Sequence, residues 1–229
     1  MTSHESTTTT ARSTTPAPFA DDDPRARFAR AIALEIAVAD RVDPSQYELP
    51  TPCDGFDVQE LLTHMGGTIP KLIALGTGAN PFDIQPVVPS DGVSWADAWT
   101  TAAHELAELW SDDALLTTAM SLPWVQTDGA GILDHYTAEV SVHTWDLAAA
   151  TGQQPEWDPT VLELALEVYR HALPAEGRVE SFTAISAQMP EHLRQPNPPF
   201  GEAVAPADGA PLIEQVIAWT GRDPRWAPA

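Results

Sequence analysis

Lysine and cysteine are almost missing from this chain, for Lys71 and Cys53 each stand alone among 229 residues. A single cysteine excludes an intramolecular disulfide, and neither a cleavable leader nor a long apolar run is present, so a cytoplasmic protein is expected. Basic residues are scarce as a class. Eleven Lys plus Arg face 33 Asp plus Glu, a formal net charge of −22. That field repels phosphate backbones and anionic lipid, so neither nucleic acid nor a membrane is an expected partner. Internal repeats are lacking, and no run alternates strongly enough to predict a sheet.

What is present reads as helix. The length suffices for one sizeable core with some elements to spare. Residues 1–22 are Thr-, Ser-, Pro- and Ala-rich, bury too little to offset their ordering entropy, and are expected to form a disordered tail. Asp23 and Pro24 then start a helix that presents Phe28, Ile32, Ile36 and Ala39 and ends before Pro44. Asp57 and Glu60 form a capping-box pattern ahead of Val58, Leu61, Leu62, Met65, Ile69 and Leu72, with Pro70 expected to bend or interrupt that helix. A crossing loop is predicted over 76–92. Ser94 caps a third helix carrying Trp95, Ala98, Trp99, Ala102, Leu106, Leu109 and Trp110, and residues 120–127 are too short and proline-broken to assign. A fourth helix runs over 133–152 and stops at Gly152; Asp158 and Pro159 start a fifth, which presents Leu162, Ala165, Leu166 and Tyr169 and ends near Pro174. Residues 182–210 read as a Pro- and Gly-rich wrap, and Pro211 opens a last helix with Leu212, Val216 and Trp219, closed by Gly221. The expected fold is all-α: a helical bundle over 23–152 and a C-terminal extension over 153–229 packed on it.

The fourth helix carries the chemistry. Glu139 and His143 are four residues apart and so share a helix face, beside the apolar stripe Leu133, Tyr136, Val140 and Leu147. An ionised carboxylate at the margin of a core needs a partner, and a metal ion is one. Bundle cores commonly host such ions on facing helices, and His64 of the second helix would complete a two-histidine, one-carboxylate set with open coordination positions. The same residues admit plainer readings: His143 as a hydrogen-bonded core histidine, Glu139 as a carboxylate in solvent or paired with arginine. His135, one turn before Glu139, could support the ligands from behind. Asp146 either orients the His143 ring or ends the helix in solvent. Cys53 precedes the helix that carries His64, where a helix N-terminus could lower its pKa, and reads otherwise as a small buried hydrophobe; the eight tryptophans, Trp95, Trp99, Trp124 and Trp145 among them, read chiefly as core.

The segments TPCDGFDVQELLTHMGG, HTWDLAAATGQ and PFGEAVAPADGAPLIEQVIAWTGRDPRW, in this order and spacing, resemble the mycothiol-dependent maleylpyruvate isomerase-like family of the DinB superfamily. The resemblance spans about residues 25–226. It implies a DinB-like four-helix bundle with a divalent metal, usually zinc, held by His64, Glu139 and His143, and a packing position for Cys53. It also implies a reaction in which a metal-activated low-molecular-weight thiol, mycothiol, adds to a small electrophile to isomerise it or to remain attached as a thioether. Family isomerases place arginines for the substrate carboxylate in their C-terminal part, where this chain has Arg178, Arg194 and Arg222; maleylpyruvate itself is not the expected substrate. Two other functions fit the sequence: a metal-dependent hydrolase or lyase using metal-bound water, and a non-catalytic DinB-like binding protein. Oligomeric state is not legible.

Overall fold

A computed structural model describes residues 19–187 and 199–228. The expected tail lies outside them except for 19–22, as do Arg194 and much of the expected wrap. The described chain is predominantly helical. Its helices are α1 (Pro24–Ala39), a 3-10 turn (Pro44–Gln46), α2 (Val58–Met65), α3 (Thr68–Thr77), α4 (Trp95–Leu109), α5 (Asp113–Thr117), α6 (Gly129–Thr151), α7 (Pro159–Ala172), α8 (Arg178–Ser186) and α9 (Leu212–Trp219). Between α5 and α6, β1 (Ala119–Leu122) and β2 (Val125–Asp128) pair antiparallel with Leu122 opposite Val125. This hairpin corrects the sheet-free expectation. Its strands are four residues long, too short for a period of two to register.

Capping sets most helix starts. Asp23 accepts from the Arg25 amide with Pro24 at the first helical position, and Asp158 does the same for α7 ahead of Pro159. The Asp57–Glu60 capping box is complete in both directions, at 2.8 and 3.0 Å. The predicted interruption of the second helix is real but misplaced. The chain breaks at Gly66 and Gly67, and Pro70 sits in the first turn of α3, where a missing N–H costs no intrahelical bond. Gly66 is required by close approach: its carbonyl accepts from the Val87 amide at 2.8 Å, and a Cβ there would meet the Val87 carbonyl oxygen at 2.4 Å. The crossing loop therefore starts after Gly78, not at Gly76, and is stitched to the break immediately behind His64. Trp99 secures it further by donating to the same Val87 carbonyl.

The central element is α6, longer than expected by four residues at its start and buried on several sides. On one side Leu133, Tyr136 and Val140 join Phe28, Ile32, Leu72 and Leu106. Its far end packs Leu147 and Ala148 against Val38, Val58, Leu61, Leu62 and Trp99. Each fully buried leucine there contributes about 1.5–3 kcal/mol. The opposite side gives Ala138 and Val142 to a cluster with Leu162, Ala165, Tyr169, Val216 and Ile217, in which α7 packs on α6 and α9 packs on α7. Thr137 and Ser141 bond back to the helix carbonyls four residues earlier and let neighbours approach closely. Tryptophan roles divide: Trp99 and Trp110 are buried, whereas Trp124 at the hairpin turn is 53% exposed. No described helix is long and apolar enough to cross a membrane.

Candidate metal centre

His64 lies in the last turn of α2, held there by the capping box one end away and by the Gly66 break on the other. Glu139 and His143 lie mid-way along α6. Their ligand atoms, from helices far apart in the chain, all fall within 4.8 Å of one another. Nε2 of His64 is 3.8 Å from Oε1 of Glu139, and the His64 and His143 rings meet edge to face with centroids 4.9 Å apart. Tetrahedral zinc ligands about 2.0–2.1 Å from the ion stand roughly 3.3–3.4 Å from each other. The 3.8 Å separation is too long for a hydrogen bond and a few tenths of an ångström wider than ligation requires. The donor set, two imidazoles and a carboxylate, suits zinc and similar divalent ions.

Behind the ligands stands a buried clamp. Nδ1 of His143 is 3.0 Å from Oδ2 of Asp146, whose side chain is fully enclosed. Arg222, just past α9, donates from Nε to Oδ1 at 2.7 Å and from a terminal nitrogen to Oδ2 at 2.9 Å. Burial works to raise the Asp146 pKa, but Arg222 and His143 outweigh it and hold the carboxyl below its usual range. Asp146 is therefore an acceptor, His143 donates through Nδ1, and Nε2 is left as the ligand atom. Of the two sequence readings of Asp146, the orienting one matches the geometry; the solvent-exposed one does not.

The two imidazoles differ in charge. Burial and the neighbouring His143 push His64 down to about 4, which leaves it neutral. Burial opposes charge on His143 too, yet the Asp146 hydrogen bond and the Cys53 thiol beside it lift it to about 10. His64 is ready to ligate as it stands, and His143 must release a proton first.

His135 joins neither group of clustered ligand atoms among the described residues; desolvation lowers its pKa. Arg178 is buried and donates to the carbonyls of Pro174 and Gly201, so it serves the fold of the C-terminal part. Cys53 is only partly buried. It packs with the α2 cluster as expected, but its sulfur also lies within 4.8 Å of ligand atoms of His143 and Asp146.

Glu35 of α1 is the residue that sequence reasoning passed over. It is 2% exposed, and its Oε2 has no hydrogen-bond partner among the described residues. Desolvation pushes its carboxyl up to about 8, offset in part by His143 and reinforced by Glu139. A signal existed: Phe28, Ile32, Glu35 and Ala39 form one stripe at helical spacing, so the carboxyl falls on the buried face. A buried carboxyl oxygen without a hydrogen-bond partner is costly, and the charged groups that act on this one, His143 and Glu139, belong to the candidate ligand set.

The ligands form an open shelf. Side chains of His64 and Glu139 are 27% and 29% exposed, against 13% for His143. A cavity of about 290 Å³ lies elsewhere, between α1, α6 and α7, lined by Arg30, Ala31, Thr144 and Trp157 among others.

The chain is similar to an uncharacterized protein of Mycobacterium tuberculosis, present in strains H37Rv and CDC 1551. In each case 28% of residues are identical over 208, covering 89% of this chain and 100% of the relative. No family model matches the chain, and no solved structure does.

Proposed function

We propose that the protein is a zinc-type, divalent-metal-dependent enzyme that activates a low-molecular-weight thiol, mycothiol, for transfer to or isomerisation of a small electrophile. In this reading it belongs with the mycothiol-dependent maleylpyruvate isomerase-like proteins of the DinB superfamily. Helix α1, the α2–α3 pair, α4 and α6 are its four-helix bundle, and the helices from α7 onward are the extension. The observation that carries the reading is the convergence of His64, Glu139 and His143 to within 4.8 Å.

A divalent ion held by three protein ligands keeps a position open and, when bound, lowers the pKa of a coordinated thiol enough to make it a thiolate at neutral pH. The chain's own part is positioning. Asp146 fixes the His143 tautomer, Arg222 keeps Asp146 ionised, and Glu139 supplies negative charge at the shelf. The exposed flanks of His64 and Glu139 leave an approach for two reactants. Because Arg222 is occupied by Asp146 and Arg178 by backbone carbonyls, neither is free to clamp a substrate carboxylate, which supports an electrophile other than maleylpyruvate.

Elemental analysis after zinc reconstitution, followed by calorimetry with mycothiol, tests this. Stoichiometric zinc and thiol binding that disappears when zinc is removed are expected. Zinc without thiol binding points instead to a hydrolase or lyase working through metal-bound water. Absence of stoichiometric metal after reconstitution leaves a non-catalytic binding protein.

A further inference from the structure

Across the seam between α1 and α6, Glu35 stands where packing alone would favour an apolar side chain. Its stripe-mates Phe28, Ile32 and Ala39 are all buried hydrophobes. Other buried charges in the described chain have partners: Asp146 and Arg222 hold each other, and Arg178 holds carbonyl oxygens. No hydrogen bond or ion pair to Glu35 is found among the described residues. A carboxyl kept this way lowers stability, and such a cost is characteristic of a functional site. One turn before it Ile32 shares a core cluster with Tyr136 and Val140, and one turn after it Ala39 shares another with Leu147, which sets Glu35 level with the turns of α6 that carry Glu139 and His143; these two are the charged groups that act on it.

Charge balance gives the missing partner. With a divalent cation held by Glu139 and by His64 and His143 as neutral imidazoles, one net positive charge would remain before the thiol arrives, since the Asp146–Arg222 pair cancels itself. Water would reach that charge from the open face of the shelf, while on the face turned toward α1 a buried carboxylate would be its counter-charge. We propose that Glu35 is a fourth protein group of the metal centre, lying outside the His64–Glu139–His143 set and balancing the cation's remaining charge from α1. Resting on the metal reading above, the inference adds a residue to the centre and explains why α1 carries a carboxyl on its buried face. It also makes the centre selective for charge: ions of lower valence gain less from Glu35.

Competition of the full-length protein against a chromophoric zinc chelator, with thermal unfolding of the metal-free form alongside, tests the assignment in Glu35→Gln and Glu35→Met. Gln keeps the shape and removes the charge; Met fills the seam with an apolar chain. Both are expected to weaken zinc binding roughly 10- to 100-fold. Met is also expected to raise the Tm of the metal-free protein by a few degrees, since it removes the unpartnered carboxyl. A structural carboxyl would behave in the opposite sense, with zinc affinity unchanged and Tm lowered. Affinity within twofold of wild type in both variants, while His143→Ala loses zinc, overturns the role of Glu35 and leaves the metal reading standing. If the wild-type protein itself takes up no zinc, the metal reading falls and this assignment with it.

Discussion

Arg222 reaches back 76 positions along the chain to grip both carboxylate oxygens of Asp146, at 2.7 and 2.9 Å, with both side chains withdrawn from solvent. Asp146 in turn holds the His143 ring from behind. The last described helix, α9, is thereby coupled to the middle of α6 through a chain of charge-assisted bonds. Removing one member of a buried pair leaves the other uncompensated. Arg222→Ala should therefore lower stability by about 3–5 kcal/mol, and Arg222→Lys should recover only part of it because an ammonium lacks the two-pronged geometry. Urea unfolding followed by circular dichroism measures both; a loss under 1 kcal/mol for the alanine variant would show the pair to be dispensable.

Metal binding should divide the histidines. His64→Ala, Glu139→Ala and His143→Ala are each expected to weaken zinc affinity by at least tenfold, while His135→Ala leaves it within about twofold. Chelator competition reads all four. Zinc lost from the His135 variant and kept by the His64 variant would mean that the ligands had been assigned to the wrong turn of α6.

Stability of the metal-free protein should fall as pH rises through neutrality. For Glu35 the folded value of about 8 lies above the ordinary 4.5, so the folded state binds more protons than the unfolded chain between them. Its contribution is intact below about 4.5 and lost progressively up to about 8. His143, raised to about 10, acts in the same sense above 6.5. His64, depressed to about 4, opposes them only between 4 and 6.5. The net decline is expected to be steepest from pH 6.5 to 8, where both groups act, and to continue more gently toward 10 from His143 alone; Glu35→Gln should make the 6.5–8 segment shallower and leave the rest, as a series of urea midpoints in chelator-treated buffer will reveal.

Gly221 should tolerate no side chain. Its φ of 85° is left-handed, and a Cβ would stand 2.5–2.6 Å from the backbone of Gly201. Gly221→Ala is expected to destabilise by at least about 2 kcal/mol and, by displacing Arg222, to weaken zinc binding as well. A stability loss with unchanged zinc affinity would separate the turn from the centre.

Local signals made most helix starts legible. Asp23 with Pro24, Asp57 with Glu60, Ser94 and Asp158 with Pro159 each act on the turn that follows, so the starts they set need no tertiary context. His64, Glu139 and His143 were legible as residue types on helices, while their convergence depends on how α2 packs on α6. Features set by distant contacts were missed. The break at Gly66 depends on Val87, and Asp146 and Arg222 explain each other only once folded. Glu35 lay in plain view on a buried stripe, yet three apolar neighbours masked what it implied.

Arg222 leaves the ribosome long after Asp146 has done so. Until then, α6 carries an interior carboxylate with no cation to answer it, and His143 lacks a firmly fixed ring. The Asp146–Arg222 pair can close only after α9 has been made, and nascent chains that stop short of it should leave Asp146 unpaired even where α1 to α6 have already folded.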